Sequence, residues 1–230
     1  MSPRSTQRGD EQTLRQDLLR AMQSMSERGL NRGTSGNASV RCDDKLLVTP
    51  SGLTPRALSA ESMVLIDANG DTPPGAMRPS SEWRMHFGIL AKRPDLSAVV
   101  HCHSRHATIL ACTGRSIPAI HYMVAVGGRA QIPLAPYHPF GSAELAEAVV
   151  EALAGGRACL MANHGQIAAA GSLMRALAIA EEVEEQAAVY WGALAVGGPQ
   201  LLSEPQMEEV LRRFAQYGQR DAKDDQSFGE

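Results

Sequence analysis

The residues best suited to chemistry in this 230-residue chain are histidines that follow apolar runs. His101 and His103 flank a cysteine directly after residues 97–100, and His164 follows a second apolar run at 158–162. Because side chains alternate along a strand, His101 and His103 should share one face. Three imidazoles from two strands can bind a divalent metal with one coordination position open, as catalytic sites do. An isolated H-x-H is a weaker signal, because imidazoles also serve other roles.

A carboxylate and two phenols could work beside such a metal. Glu82 lies in a Pro-Ser-Ser-Glu-Trp segment that opens a predicted helix, where a carboxylate also suits the helix dipole. Its functional interpretation is a general base beside the metal or a reversible metal ligand. Tyr122 follows Ile-His, and Tyr217 lies near the C-terminus. A buried tyrosine can equally be a hydrogen-bonded core residue.

Three pairs of small residues offer free backbone N–H groups that could bind a phosphate. They are Gly36 with Asn37, Ser51 with Gly52, and Ser80 with Ser81. The serine pair is expected to cap a helix that begins at residue 81, where the N–H groups and the dipole favour an anion. Each pair alone is typical of a turn. Together they predict a phosphate pocket that needs no lysine.

Composition and charge exclude several classes of function. The net charge of −3 and pI near 6.2 give no sign of a nucleic-acid or membrane partner. The cysteines form no C-x-x-C pair, so we expect reduced thiols and a cytoplasmic protein without a signal peptide. The lysines, which are Lys45, Lys92 and Lys223, lie in polar segments, so Schiff-base chemistry is disfavoured.

Hydrophobic periodicity predicts short strands interleaved with helices. Helices are expected at 10–28, 81–92, 142–153, 172–196 and 204–215, with another beginning at 106. Strands are expected at 38–41, 45–49, 63–66, 98–102, 158–162 and 166–170, with a short extended segment at 131–135. The glutamates at 181, 182, 184 and 185 are interpreted as the solvated face of the helix expected at 172–196. This order predicts a three-layer α/β/α domain with a central, mainly antiparallel sheet, spanning residues 10–218 between flexible tails 1–9 and 219–230.

The sequence resembles the class II aldolase/adducin family. The matching segments, in order, are GTSGNASVR (33–41), LLVTPSGL (46–53), PSSEWRMHFGIL (79–90), AVVHCHSRHAT (98–108), IPAIHYMVAVGG (117–128), APYHPFGSAELA (135–146), NHGQIAA (163–169) and RFAQYG (213–218). They cover about residues 12–218, and so many ordered motifs are specific for the family, although less so for the substrate.

The resemblance implies a set of site residues. It implies one zinc ion per subunit on His101, His103 and His164, with Glu82 as a fourth ligand that swings away when substrate binds. It also implies phosphate binding at the three small-residue pairs, with Ser51 replacing the expected threonine. By the same matching, Tyr122, Phe140 and Tyr217 are active-site residues. Family aldolases are homotetramers with active sites at subunit interfaces, so Tyr122 and Tyr217 would serve a neighbouring subunit.

The resemblance further implies a reversible aldolase that cleaves a ketose 1-phosphate, such as L-fuculose 1-phosphate, to dihydroxyacetone phosphate and an aldehyde. Glu82 would move the C3 proton of an enediolate, and Tyr122 a proton of the C4 oxygen. Within the family, a sugar-acid phosphate decarboxylase, L-ribulose-5-phosphate 4-epimerase or a dehydratase remain alternatives, although the epimerase carries Asp in place of Glu82. A non-enzymatic adducin-like scaffold would lack these ligands. Manganese, cobalt or iron could replace zinc.

Overall fold

The computed structural model describes the backbone of residues 11–224 and the side chains of residues 11–215. The helices are α1 (Glu11–Glu27), α2 (Trp83–Lys92), α3 (Arg105–Cys112), α4 (Ala143–Ala152), α5 (Leu173–Ala195) and α6 (Glu204–Asp224). The strands are β1 (Asn37–Cys42), β2 (Lys45–Val48), β3 (Val64–Ile66), β4 (Ala98–Cys102), β5 (Leu134–Ala135), β6 (Ala158–Met161) and β7 (Gly165–Ala170). These elements confirm the interleaved order that the periodicity predicts.

The strands form one seven-stranded sheet in the order β3-β2-β1-β4-β7-β6-β5. Every neighbouring pair is antiparallel except β5 and β6, which are parallel. The sheet is therefore mixed but mainly antiparallel, as expected. The central strands β1, β4 and β7 carry or adjoin the histidines, so the site is anchored in the best-paired part of the sheet.

Helices cover both faces of the sheet and complete the three layers. Buried residues of α2 and α4 pack on one face, against side chains that include Val99 of β4. Buried residues of α1, α3 and α5 pack on the other face, against Val100 and Cys102. Because strand side chains alternate, His101 points with Val99 toward the layer of α2 and α4. This orientation brings it to the end of α2, where Glu82 lies.

The start of α2 differs from the prediction. The helix begins at Trp83, and its N-cap residue is Glu82 rather than a serine. The Ser80 amide donates to the Thr49 carbonyl at 3.0 Å, so the backbone here pairs with the segment after β2 and does not yet turn into a helix. The expectation that Ser80 and Ser81 cap a helix from residue 81 is therefore wrong.

One glutamate of α5 is also not part of a solvated face. The Glu184 carboxylate accepts the His106 amide at 2.9 Å and the Ala107 amide at 3.0 Å, and contacts His106 Nδ1 at 2.8 Å. It therefore caps the first turn of α3, whose amides have no partner within their own helix. Glu181 forms an ion pair with Arg28 of the segment after α1. The solvated-face interpretation is wrong for Glu184, because α3 packs against α5 there.

The last helix continues to Asp224, beyond residue 215 where the pattern predicts its end. The predicted tail at 1–9 and the end of the other tail, 225–230, lie outside the described residues. Within the described residues, none of the helices combines the length and apolar character that crossing a bilayer requires.

Candidate active site

Three histidines converge at one end of the central strands of the sheet. His101 and His103 come from the end of β4, and His164 comes from the turn between β6 and β7. Their ring centroids lie 4.8 to 4.9 Å apart in all three pairs, and their candidate ligand nitrogens all lie within 4.8 Å of one another. His101 is fully buried, whereas His103 is exposed. The cluster thus has a closed inner side and an open outer side.

A backbone hydrogen bond fixes the tautomer of His101. The antiparallel pairing of β4 with β7 places Gln166 next to this ring, and His101 Nδ1 lies 2.8 Å from the Gln166 carbonyl oxygen. A carbonyl can only accept, so Nδ1 carries the proton and the neutral ring presents a lone pair at Nε2. That Nε2 faces His103 Nε2 at 3.0 Å. Metal-binding histidines are held by this kind of outer contact.

The turn that carries His164 depends on a glycine. Asn163 has a left-handed backbone with φ of 55°. A Cβ on Gly165 would lie 2.5 Å from the Cys102 carbonyl oxygen and 3.1 Å from His103 Cδ2. Only glycine therefore lets β7 begin this close to the end of β4, which is what brings His164 to the other two histidines.

Glu82 lies directly beside two of these rings. Its Oε2 is 3.3 Å from His101 Nε2 and accepts a hydrogen bond from Asn37 Nδ2 at 2.9 Å. Its Oε1 is 3.2 Å from His164 Nε2 and, within the described part of the chain, is buried without a hydrogen-bond partner. The strand register places Asn37 opposite His101, so both side chains reach the same carboxylate.

The electrostatics of the cluster favour an ionised carboxylate. Burial raises the pKa of Glu82, but the neighbouring His101 and His164 outweigh it and hold that pKa well below its usual range. Burial lowers the pKa of His101, but Glu82 raises it on balance. Although the His103 side chain reaches solvent, desolvation of its ring within the cluster and the neighbouring His101 and His164 lower its pKa to about 3, so the ring is neutral at physiological pH.

The residues present fit a divalent metal. Three imidazole nitrogens lie within 4.8 Å of one another, and two of them, on His101 and His103, approach to 3.0 Å. A buried carboxylate oxygen of Glu82 lacks a hydrogen-bond partner among the described residues, and a cation would satisfy it. Imidazole and carboxylate are ligands that zinc and other first-row metals accept. The cluster therefore fits metal binding.

A cavity of about 300 Å³ opens beside the histidines. A bridge between Pro50 and Pro79, with the Ser51 amide donating to the Arg78 carbonyl at 2.9 Å, brings two of the small-residue pairs together. All six predicted phosphate-binding residues line the cavity, and they are Gly36, Asn37, Ser51, Gly52, Ser80 and Ser81. Glu82, His103 and His164 line it too. Of the described lining residues, none is a lysine or arginine.

The predicted aromatic residues are placed differently from one another. Phe140 lines the cavity and is 74% exposed. Tyr122 begins a short 3-10 helix, is 50% exposed, and is not among the described lining residues of the cavity in a single chain. Tyr217 falls in the stretch from 216 onward, whose side chains lie outside the described residues.

Sequence reasoning missed several lining residues. They are Thr34, Ser35, Pro50, Tyr137, His138 and Asn163. Tyr137 and His138 share the APYHPF segment with Phe140, so their position next to a predicted pocket residue was a usable signal. The buried polar residues Ser39 and His86, which lie behind Glu82, were also missed. The first is two residues from Asn37 on a strand and the second four from Glu82, which are same-face spacings.

Residues 16–191 match the family model described as Class II Aldolase and Adducin N-terminal domain. The chain is a member of the class II aldolase/adducin family. Class II aldolases use a divalent metal, and the histidine cluster fits that requirement. The resemblance in the sequence motifs is thereby confirmed.

Relatives of this family member are aldolases. This chain is 47% identical over 210 residues to the 5-methylthioribulose-1-phosphate/5-deoxyribulose-1-phosphate aldolase of Rhodospirillum rubrum, and the match covers 91% of this chain and 95% of that one. It is 46% identical to the L-fuculose phosphate aldolase of Escherichia coli, covering 85% and 91% of the two chains. A solved L-fuculose 1-phosphate aldolase superposes with a TM-score of 0.85 at 37% identity, covering 88% and 96%.

Proposed function

We propose that this chain reversibly cleaves a ketose 1-phosphate between C3 and C4, giving dihydroxyacetone phosphate and an aldehyde. The observation that carries the proposal is the single cavity that combines the histidine cluster, the Glu82 carboxylate and the lysine-free cradle of small residues. Relatives named for L-fuculose phosphate and for two 5-substituted ribulose 1-phosphates support it, since cleavage at the same bond serves all three sugars.

The phosphate is held by backbone and hydroxyl groups in this proposal. Ser51 and Gly52 lie beside Ser80 and Ser81 because of the bridge between residues 50 and 79. Gly36 completes the cradle with φ of 75°, and its lack of a Cβ lets Asn31 pack against it. Backbone N–H groups and serine hydroxyls can donate to phosphate oxygens without a cationic side chain.

We assign one zinc ion to His101, His103 and His164, with Glu82 as the fourth group before substrate binds. When bound, the ion supplies Lewis-acid stabilisation of the negative charge that develops on substrate oxygens as the carbon–carbon bond breaks. Manganese, cobalt or iron could fill the same ligand set. The full set of ligands makes an adducin-like scaffold role the weaker interpretation.

Glu82 transfers the proton at C3 of the substrate. The neighbouring imidazoles keep this carboxylate ionised. In the synthetic direction it takes a proton from C3 of dihydroxyacetone phosphate. In cleavage it returns that proton to C3 after the C3–C4 bond breaks. Tyr122 exchanges a proton with the C4 oxygen, which becomes the aldehyde oxygen.

We assign Tyr122 to the active site of a neighbouring subunit in a homotetramer. The proposal rests on its 50% exposure and its position away from the described cavity of its own chain. Tyr217 is given a similar role, and Phe140 contacts the aldehyde end of the substrate from within the chain. An assembly with active sites at its interfaces would bring these aromatic rings to one substrate.

The test is product formation from three sugars. Zinc-loaded protein is incubated with L-fuculose 1-phosphate, 5-deoxyribulose 1-phosphate and 5-methylthioribulose 1-phosphate, and dihydroxyacetone phosphate is measured by coupled reduction with NADH. We expect turnover of at least one sugar, with the preferred sugar identifying the aldehyde. Absence of the product from all three, with zinc shown to be bound, would contradict the proposal.

A further inference from the structure

Behind Glu82, on the side away from His164, a chain of buried polar side chains leads into the domain. Asn37 Nδ2 donates to Glu82 Oε2 at 2.9 Å, Asn37 Oδ1 lies 2.5 Å from His86 Nε2, and His86 Nδ1 lies 2.8 Å from Ser39 Oγ. His86 and Ser39 are fully buried, and Asn37 is 5% exposed. The core of the sheet thus contains a continuous polar path that ends on the proposed base.

The chemistry of each group fixes the direction of this chain. Asn37 Nδ2 donates to a Glu82 carboxylate oxygen, so the amide oxygen of Asn37 must face His86. His86 Nε2 must then carry the proton, which leaves Nδ1 to accept from the Ser39 hydroxyl. Burial, together with the neighbouring His101, lowers the pKa of His86 to about 3, in keeping with a neutral ring.

The secondary structure makes the arrangement rigid. Asn37 and Ser39 lie two residues apart on β1 and so share a face, while Glu82 and His86 lie four apart at the start of α2. In each of these hydrogen bonds, one partner lies on β1 and the other at the start of α2 or within it. Freely rotating side chains on loops could not define one orientation of an amide in this way.

We propose that His86, fixed by Ser39, is a positioning residue that holds the Asn37 amide and through it the Glu82 carboxylate. The chain anchors Oε2 and leaves Oε1 toward His164 without a hydrogen-bond partner among the described residues. Oε1 would bind the metal before substrate arrives and exchange the proton once substrate has taken its place. This inference rests on the proposed function of Glu82 as the base. His86 itself touches neither the substrate nor the metal ligands.

The first test compares variants in the exchange of the C3 proton of dihydroxyacetone phosphate with heavy water. His86→Leu and Ser39→Ala should slow the rate constant about 10- to 100-fold, as for residues that orient a reactive group. The half-saturating concentration and the zinc content should stay unchanged. His86→Gln should recover much of the rate, because its amide nitrogen can still donate to Asn37.

The matched control is Ile89→Val, a fully buried substitution on the same helix that is outside the polar chain. It should lower thermal stability and leave the exchange rate unchanged. If His86→Leu and Ser39→Ala exchange as fast as Ile89→Val, the positioning role is wrong. A wild-type protein that binds zinc but exchanges no proton would instead overturn the function of Glu82 on which the inference rests.

A second measurement needs neither metal nor substrate and remains informative if His86→Leu does not fold. Long-range proton–nitrogen NMR correlations of the metal-free protein report which ring nitrogen of each histidine is protonated, and the signals missing from His86→Gln identify His86. We expect a neutral ring with the proton on Nε2, and Ser39→Ala should disturb it. A proton on Nδ1 would contradict the chain as described.

Discussion

At the scale of single residues, Glu82→Gln tests the proton transfer. The amide has nearly the same shape but cannot take a proton, so turnover should fall about 10²- to 10⁴-fold. The three histidines remain, so the zinc content measured by elemental analysis should match the wild type. Full activity in a coupled assay for dihydroxyacetone phosphate would rule out Glu82 as the base.

The central residues of the candidate site could be chosen from the sequence, whereas the residues behind them could not. The H-x-H after a strand, the second histidine segment and Glu82 stand out together, and the structure brings them into one cluster. Ser39 and His86 share faces with Asn37 and Glu82 by spacing, but spacing alone does not distinguish them from other buried polar residues. Their role depends on how β1 packs against α2, which the pattern of one element does not contain.

At the scale of elements, the turn between β6 and β7 sets the geometry of the histidines. Gly165→Ala places a Cβ 2.5 Å from the Cys102 carbonyl oxygen and 3.1 Å from the His103 ring, so one of the two must move. We expect zinc affinity, measured by chelator competition, to fall about 10- to 100-fold. Gly171→Ala at the other end of β7, where the nearest atom is 3.9 Å away, should bind zinc normally. Equal affinities of the two variants would show that the close approach is unimportant.

The contact between α5 and α3 allows a second prediction about elements. Glu184 accepts two amides at the start of α3, which carries the chain away from His103. Glu184→Ala should lower the free energy of unfolding in urea by about 1.5–3 kcal/mol, the range for hydrogen bonds to a charged group. Glu185→Ala, on the exposed face of the same helix, should be nearly neutral. A similar loss in both variants would argue against the capping role.

Element boundaries show where prediction from sequence fails. Periodicity located the strands and helices, because burial of one face imposes a period of 2 or 3.6. It misplaced the start of α2, since Ser80 satisfies its amide through Thr49, a residue distant in sequence. It also misassigned Glu184, because an exposed-looking position on α5 faces another helix. Both errors arise from tertiary contacts that override local preference.

At the scale of the whole molecule, the fold class followed from the order of elements, and the burial of the thiols follows from the fold. Cys102 and Cys159 are fully buried, which raises the pKa of each thiol to about 12, whereas Cys112 is exposed. Partial burial also raises the pKa of Cys42. We predict that iodoacetamide at pH 8 modifies Cys112 first in the native protein and leaves Cys102 and Cys159 intact, as mass spectrometry would show.

Unfolding in guanidinium should make all four thiols reactive, which serves as the control. Modification of Cys102 at the rate of Cys112 without denaturant would mean that the strand bearing His101 and His103 opens readily. Such opening would be incompatible with a metal site anchored in the centre of the sheet.

The proton transfer by Glu82 beside a bound metal can be tested with dihydroxyacetone phosphate alone. Zinc-loaded protein is incubated with it in heavy water, and the loss of one C3 proton is followed by NMR. We predict stereospecific exchange in the wild type and almost none in Glu82→Gln. A wild-type protein that holds zinc yet leaves both C3 protons in place would contradict it.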